Sequence, residues 1–341
     1  MRSLQALVVF GACAGVLPAQ APTITVQQSG VESLFQAVSV SAVNPDVAWI
    51  SGHRGTYALT TDAGRTWTAR VMPGRDSLEF RDVHAIDARR AWLLSSGTGA
   101  KSGIFQTSDG GVNWSQVFAN RDTAAFYDCM AFFDERRAFA FSDAVNARMP
   151  IVRTGNGREW AVGAIPAQQG EGGFAASGSC AQATVLGEAW IGTGAAARPR
   201  VLHSTDFARS WSAVEVPIVS GSGAGITALA FRDRRHGVAV GGAIGGSATG
   251  PRAARTADGG ATWTVIADPP LTGALYGAAY AVRGGRALLV AVGPGGAAWS
   301  TDDGDTWTVL DAAPYWSVGF GWSGTGWMVG PKGRVVRIEW R

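Results

Sequence analysis

The sequence has little charge and no sign of helical packing. Only 16% of its 341 residues are charged, and the formal net charge is +3. Although the pI is near 9, so small an excess of positive charge does not support nucleic-acid binding. No stretch of the sequence carries apolar residues at a sustained 3.6-residue period, so we exclude a mainly helical fold.

Motifs for metal, nucleotide and redox chemistry are missing as well. The four histidines form no H-x-H or H-E-x-x-H pattern, so the sequence predicts no metal site. The Gly-rich segment 241–250 lacks the Gly-Lys-Ser/Thr ending of a phosphate loop. No G-x-G-x-x-G follows a strand and opens a helix. We therefore expect no cofactor.

Beyond the N-terminus the sequence contains no long apolar run. Leu4–Val16 follows Arg2 and precedes the small residues Ala19 and Ala21, which is the pattern of a secretory signal peptide. The run is too short to span a bilayer. We expect residues 1–19 to be cleaved and the body to be periplasmic or secreted. A lipoprotein signal at Cys13 and an uncleaved N-terminal anchor remain as alternatives.

Cysteine is scarce, and only Cys129 and Cys180 would remain after cleavage. They fall in adjacent repeats, each near the start of a unit, and two cysteines in an oxidising compartment can pair. A pair of free, buried thiols fits the sequence equally well, because spacing does not fix the distance between two Cα atoms.

The sequence is rich in Gly (47) and Trp (14), and these residues belong to a repeat. An eight-residue segment similar to T-x-D-G-G-x-T-W recurs with steps of 47, 46, 51, 52 and 44 residues between its closing tryptophans. Repeats of this length are typical of propellers built from four-stranded units. We call these segments the repeat turns: Thr60–Trp67, Thr107–Trp114, Thr154–Trp160, Ser204–Trp211, Thr256–Trp263 and Ser300–Trp307.

The physical role of a repeat turn is to close a hairpin. Asp bonds the backbone with its side chain, Gly supplies a positive φ, and the Trp packs back on the sheet. Five turn carboxylates on five different units cannot converge on one substrate, so we interpret them as structural. They are Asp62, Asp109, Asp206, Asp258 and Asp302.

Strand patterns around the repeat turns predict an all-β, seven-bladed propeller. Each unit has strands a, b, c and d, with the repeat turn between c and d. The tail supplies strands a to c of a seventh unit at 316–322, 326–330 and 334–340, and Thr23–Gln27 supplies its strand d. Closing the ring in this way removes exposed sheet edges. We expect residues 20–341 to form a single domain, with six blades and a loose tail as the alternative.

The D-x-G-x-T-W turn resembles the Asp-box, the repeat of bacterial neuraminidases and other secreted propellers. A chain with a signal peptide and seven such units looks most like the photosystem II assembly and stability factor family and its bacterial relatives. The resemblance implies a non-enzymatic binding protein that serves as an assembly, stability or accessory factor of a membrane or photosynthetic complex. The alternative partner is a glycan, bound or hydrolysed by a sialidase-like propeller.

We expect the chain itself to be a monomer. We expect its binding site at the mouth of the central funnel, where strand a of each blade begins. Polar and aromatic residues meet there on a rigid scaffold, which is the usual place for a ligand in a ring of blades. A solvated channel lining without a ligand is the alternative. The expected binding residues are Arg54, Arg81, Tyr127, Arg148, Tyr276 and Trp316.

A hydrolase would instead need two carboxyl groups about 5–10 Å apart. Asp82, Asp128 and Glu171 lie on neighbouring blades at similar height, and they are the candidate catalytic residues. A sialidase is disfavoured, because the nearest match to its Phe/Tyr-Arg-Ile-Pro segment is Phe80–Val83, which follows the first repeat turn and has Asp-Val in place of Ile-Pro. The sequence therefore favours a binding protein over an enzyme.

Overall fold

The computed structural model describes residues 21–245 and 248–340. The predicted signal peptide, residues 1–19, lies outside this part of the chain. The described residues form seven four-stranded antiparallel sheets and one short 3-10 helix, Gly99–Lys101. This confirms the seven-bladed, all-β fold and excludes the six-bladed alternative.

The strands follow the chain in blade order, and consecutive strands pair within each sheet. Blade 1 contains β2 (Phe35–Val40), β3 (Ala48–Gly52), β4 (Thr56–Thr60) and β5 (Thr68–Val71). Blade 2 contains β6 (Phe80–Ala85), β7 (Ala91–Ser95), β8 (Gly103–Thr107) and β9 (Ser115–Ala119). Blade 3 contains β10 (Tyr127–Phe132), β11 (Ala138–Ser142), β12 (Arg148–Thr154) and β13 (Trp160–Pro166). Blade 4 contains β14 (Ala181–Ala183), β15 (Ala189–Gly192), β16 (Arg200–Ser204) and β17 (Ser212–Glu215). Blade 5 contains β18 (Ala224–Phe231), β19 (Gly237–Ala243), β20 (Ala253–Thr256) and β21 (Thr264–Val265). Blade 6 contains β22 (Gly277–Arg283), β23 (Arg286–Gly293), β24 (Gly296–Ser300) and β25 (Thr308–Asp311).

Blade 7 is built from both ends of the described chain. Its strands are β26 (Ser317–Phe320), β27 (Thr325–Val329), β28 (Arg334–Glu339) and, on the outside, β1 (Thr23–Gln28). β1 runs antiparallel to β28, with Thr23 opposite Glu339 and Gln28 opposite Arg334. The N-terminal strand thus closes the ring, as the sequence predicts.

The core lies between neighbouring blades. Trp190 of blade 4 stacks on Phe231 of blade 5 with ring centroids 4.1 Å apart, and Trp67 of blade 1 meets Trp327 of blade 7 edge-on at 6.1 Å. Burying an aromatic side chain of this kind contributes about 2–3 kcal/mol. The inner strands contact one another in the order β2, β6, β10, β14, β18, β22, β26 and back to β2, so they surround a central channel.

The repeat turns all lie at one end of this channel, which we call the turn face. In blade 5, Asp258 Oδ1 accepts hydrogen bonds from the Thr262 N–H at 2.9 Å and the Thr256 hydroxyl at 2.8 Å. Hydrogen bonds from Thr262 hold the pKa of Asp258 at about 2. Gly260 has a φ of 93°, a left-handed conformation that suits glycine. The carboxylate therefore fastens the turn.

A second repeated turn joins strands a and b on the same face. Asp87 Oδ1 accepts the N–H groups of Arg89 and Arg90, at 2.7 and 2.8 Å. Asp134 and Asp233 do the same for the two residues at corresponding positions. The sequence pattern of this turn is D-x-R-R or D-x-R-H, and it lies outside the repeat turns.

Candidate functional site

The opposite end of the channel, the mouth face, is shaped by β-bulges in the inner strands. The pairing register shifts between Phe35 and Ala37 in blade 1 and between Phe80 and Asp82 in blade 2. A bulge inserts one extra residue and redirects its side chain. The extra residues are Gln36 and Arg81, and both line the cavity at the mouth.

A segment before blade 4 closes the channel below this cavity. The sequence predicts strand a of blade 4 at Phe174–Ser177, but this prediction is wrong, because that strand is β14, which begins at Ala181. Residues 172–179, which we call the plug, instead reach across the channel. Ser317 of blade 7 donates to the Ser177 carbonyl at 2.8 Å, and the Leu229 N–H of blade 5 donates to the Ser179 carbonyl at 2.9 Å.

Glycines allow the plug to pack against carboxyl groups. The Gly173 N–H donates to Asp143 Oδ1 at 3.1 Å. A Cβ added to Gly172 would lie 1.9 Å from Asp143 Oδ1, and one added to Gly178 would lie 2.5 Å from Asp82 Oδ1. Neither distance is compatible with a side chain, so these close contacts require glycine.

Asp128, which is buried, and Asp143, which is partly exposed, form an acid pair beside the plug. Burial is the main cause of the raised pKa of both carboxyl groups, and it brings that of Asp143 to about 6. The negative charge of Asp143 raises the pKa of Asp128 further. Asp128 Oδ2 is buried without an N–H or O–H donor. A proton shared between the two carboxyl groups satisfies that oxygen and removes one buried charge.

The three candidate catalytic residues are not presented at the mouth. Asp82 and Asp128 are 4% and 1% exposed, and Asp82 Oδ2 accepts the Met130 N–H at 2.7 Å. Glu171 has a fully buried carboxylate that forms an ion pair with Arg200 and accepts the Thr193 hydroxyl at 2.7 Å. None of the three residues is among those that line the cavity at the mouth.

The mouth cavity above the plug is an open cup of about 320 Å³, with plug residues at its base. Tyr276 and Trp316 form one wall, with ring centroids 5.2 Å apart and planes at 77°. Arg81 lies on another side, where it forms an ion pair with Glu79 at 2.6 Å and donates to the Ala175 carbonyl at 3.5 Å. The cup is lined by Leu34, Gln36, His53, Arg81, Phe174, Ala175, Ala176, Ile244, Tyr276 and Trp316.

Two polar groups give the cup its chemical character. Gln36 Oε1 is buried and accepts no hydrogen bond from a described residue. Burial lowers the pKa of His53, which keeps its ring neutral near pH 7. The cup thus offers aromatic and aliphatic walls next to the Arg81–Glu79 ion pair, which suits an aromatic or aliphatic group.

Only three of the six expected binding residues meet in the cup: Arg81, Tyr276 and Trp316. Tyr127 and Arg148 line a separate groove between blades 2 and 3. The pairing register of β10 shifts between Tyr127 and Cys129. The Tyr127 ring packs between blades 2 and 3, where it meets the Phe118 ring of blade 2 edge-on with centroids 5.1 Å apart. Arg54 is exposed in the turn between β3 and β4 and does not line the cup.

Cys129 and Cys180 form a disulfide with a Cα–Cα distance of 6.0 Å. Both cysteines are fully buried. Cys129 is on the inner strand of blade 3, and Cys180 follows the plug directly. The disulfide therefore fixes the C-terminal end of the plug to the neighbouring blade.

The described residues contain no group of three or more His, Cys, Asp or Glu side chains arranged to hold a metal ion. Within residues 21–245 and 248–340, no helix is long and apolar enough to cross a bilayer.

Solved structures share this fold. The structure described as "YCF48 bound to D1 peptide" has a TM-score of 0.63 and 15% identity, over 95% of this chain and 99% of that chain. YCF48 from Cyanidioschyzon merolae has a TM-score of 0.63 and 17% identity, over 93% and 98%. The Pan2 WD40 domain of Neurospora crassa has a TM-score of 0.63 and 11% identity, over 90% and 89%.

Identities this low show a common fold and nothing more. No protein-family model and no curated protein matches the chain.

Proposed function

We propose that the protein is a non-enzymatic binding propeller that holds a polypeptide segment of a partner in the cup. It would serve as an assembly, stability or accessory factor of a membrane or photosynthetic complex. The observation that carries this proposal is the cup itself, which is open to solvent at the mouth and has Tyr276, Trp316 and Arg81 around a floor made by the plug. Such a cavity accepts a side chain or a chain end but does not let a polymer thread through the channel.

The comparisons add support from a similar fold. One of the similar structures, YCF48, is described as bound to a D1 peptide. A seven-bladed propeller of this kind is thus compatible with peptide binding. The burial of Asp82, Asp128 and Glu171 also favours binding over glycoside hydrolysis. Two of these carboxyl groups, those of Asp82 and Glu171, accept hydrogen bonds from the protein itself.

A location outside the cytoplasm is part of the proposal. The buried Cys129–Cys180 disulfide supports it, because disulfides persist in oxidising compartments. The N-terminal segment has the pattern of a signal peptide. Cell fractionation of the full chain, with the N-terminus of the mature protein determined by mass spectrometry, tests both points.

Site-specific photocrosslinking in cells tests the function. Benzoylphenylalanine at Leu34, which lines the cup, should crosslink to one segment of a membrane-complex subunit. The same probe at Val309, an exposed position on β25 of blade 6, is the matched control. Crosslinks should disappear when Trp316→Ala is added. Equal crosslinking from both positions, or none from the cup, would overturn the proposal.

The glycan alternative is tested by a glycan array and a panel of glycoside substrates. Specific glycan binding that is lost in Trp316→Ala, without any peptide crosslink, would replace the proposed function by a lectin function. Turnover of a glycoside would contradict the assignment of the buried carboxyl groups to a structural role.

A further inference from the structure

A groove between blades 2 and 3 is separate from the cup and has about 710 Å³, more than twice the volume of the cup. One wall is the outer strand of blade 2, β9. The other wall is the face that blade 3 turns towards blade 2. The groove is lined by Val117, Phe118, Ala119, Asn120, Arg121, Asp122, Tyr127, Val145, Asn146, Arg148, Pro150, Trp160, Val162, Gly163 and Ala164.

Unequal strand lengths create the groove. β12 and β13 of blade 3 have seven residues each, whereas β9 of blade 2 has five. Part of the face of blade 3 is therefore not covered by its neighbour. Alternate residues of β13, namely Trp160, Val162 and Ala164, line this uncovered face, and Val162 is 72% exposed. Seven strand residues extend for roughly 20 Å.

The second feature is an open sheet edge. β9 is the outer strand of the sheet β6-β7-β8-β9, and it pairs only with β8 among the strands described. An edge of this kind offers main-chain N–H and C=O groups to an added strand. Edge and apolar face lie side by side, which is the arrangement that strand addition requires.

The third feature is positive charge at one end. Arg148 begins β12, and Arg121 follows β9, so both lie at the end of the groove nearest the mouth face. Both are exposed, and neither forms an ion pair with a described residue. Asp122 also lines this end, where its Oδ1 accepts the Ala124 N–H at 2.9 Å, so the formal charges of the three side chains sum to about +1. The charges favour a carboxylate at this end.

We propose that the groove binds an extended peptide that adds a strand to the edge of β9. The peptide would place alternate apolar side chains on Pro150, Val162 and Ala164 and a carboxylate between Arg121 and Arg148. Strand direction decides the source of the carboxylate. β9 runs towards the mouth face, so a parallel peptide brings its C-terminal carboxylate to the arginines, whereas an antiparallel peptide requires an Asp or Glu near its N-terminus.

Selection from random nine-residue peptide libraries tests the proposal, with one library displayed with free C-termini and one with free N-termini. The wild-type protein should enrich sequences of alternating apolar residues with a carboxylate at one end. Val162→Arg should weaken the selected peptides at least about tenfold, and Arg148→Glu should do so by about tenfold. Val309→Arg, an exposed valine on the outer strand of blade 6, is the control and should bind normally.

Synthetic versions of the selected peptides separate the two orientations. Amidation of the C-terminus should abolish binding of a parallel peptide, and Glu→Gln near the N-terminus should abolish binding of an antiparallel one. Methylation of alternate peptide nitrogens should abolish either, and bound peptide should slow hydrogen exchange of β9 amides. The proposal is wrong if no such sequences are enriched, if Val162→Arg binds them equally, or if Trp316→Ala in the cup is the variant that loses them.

Discussion

Asp143 of blade 3 and Gly173 of the plug are joined by a hydrogen bond of 3.1 Å from the glycine N–H to Oδ1 of the carboxyl group. Asp143 also belongs to the acid pair with Asp128. The closure of the channel is thus linked to the protonation of two carboxyl groups, and this link makes a testable difference to stability.

The acid pair should make the protein less stable as the pH rises. The pKa of Asp143 is raised to about 6, and that of Asp128 is raised as well. The folded protein therefore keeps protons that the unfolded chain releases above about pH 4, so the free energy of unfolding falls from about pH 4 to above pH 6. Asp128→Asn should make this fall smaller and be more stable than wild type at pH 7.5, while Asp82, whose pKa is also raised by burial, keeps part of the pH dependence.

Urea denaturation at a series of pH values measures this effect. Asp258→Asn is the control. The pKa of Asp258 is about 2, so the ionisation of this group changes the free energy of unfolding only below about pH 4. Parallel pH profiles for wild type and Asp128→Asn would contradict the shared proton.

Glu171→Gln should destabilise the fold by about 3 kcal/mol. It leaves the Arg200 guanidinium, which is largely buried, without its counter-charge. Chemical denaturation measures the loss, and Glu215→Gln, which removes an exposed partner of Arg198, should cost far less. Normal stability together with loss of a glycosidase activity would show instead that Glu171 is catalytic.

Removal of the disulfide by Cys129→Ala and Cys180→Ala together should lower the free energy of unfolding by about 4 kcal/mol, since the bridge closes a loop across a sequence separation of 51. Reductant should lower the denaturation midpoint of wild type towards that of the double variant and leave the double variant unchanged. Equal midpoints for the two oxidised proteins would contradict a stabilising role.

Asp258→Ala should lower the melting temperature by about 2–4 °C and leave ligand binding unchanged, because the carboxylate accepts hydrogen bonds within its own turn. Asp258→Asn should lose less, since Asn156 occupies the same position in blade 3 and accepts the Arg158 and Glu159 N–H groups at 3.0 and 2.9 Å. A binding defect in Asp258→Ala with normal stability would refute the structural assignment.

Much of the fold could be predicted because its signals are local. Thr/Ser-x-Asp and Gly-x-x-Trp each occur in five of the six repeat turns, and the unassigned strand Thr23–Gln27 completes blade 7. The plug could not be predicted in this way. Phe174–Ser177 has the composition of an inner strand, and its true position depends on contacts of Gly173 and Gly178 with carboxyl groups far away in the sequence.

The position of some residues of the cup could also be predicted from the repeat. Arg81, Tyr276 and Trp316 follow from the position of strand a in each blade, and the structure brings them together. Tyr127 has the same position in the repeat, but it packs against Phe118 between two blades. The unequal lengths of β9 and β13, which create the groove, depend on pairing that the sequence alone does not reveal.

Titration calorimetry with the peptide segment that crosslinks to the cup tests the central claim most directly. We predict that Trp316→Ala weakens binding of this segment at least about tenfold, because an aromatic wall of the cup is lost. Val162→Arg in the groove should leave the dissociation constant unchanged. Equal affinities of wild type and Trp316→Ala would contradict the cup as the binding site.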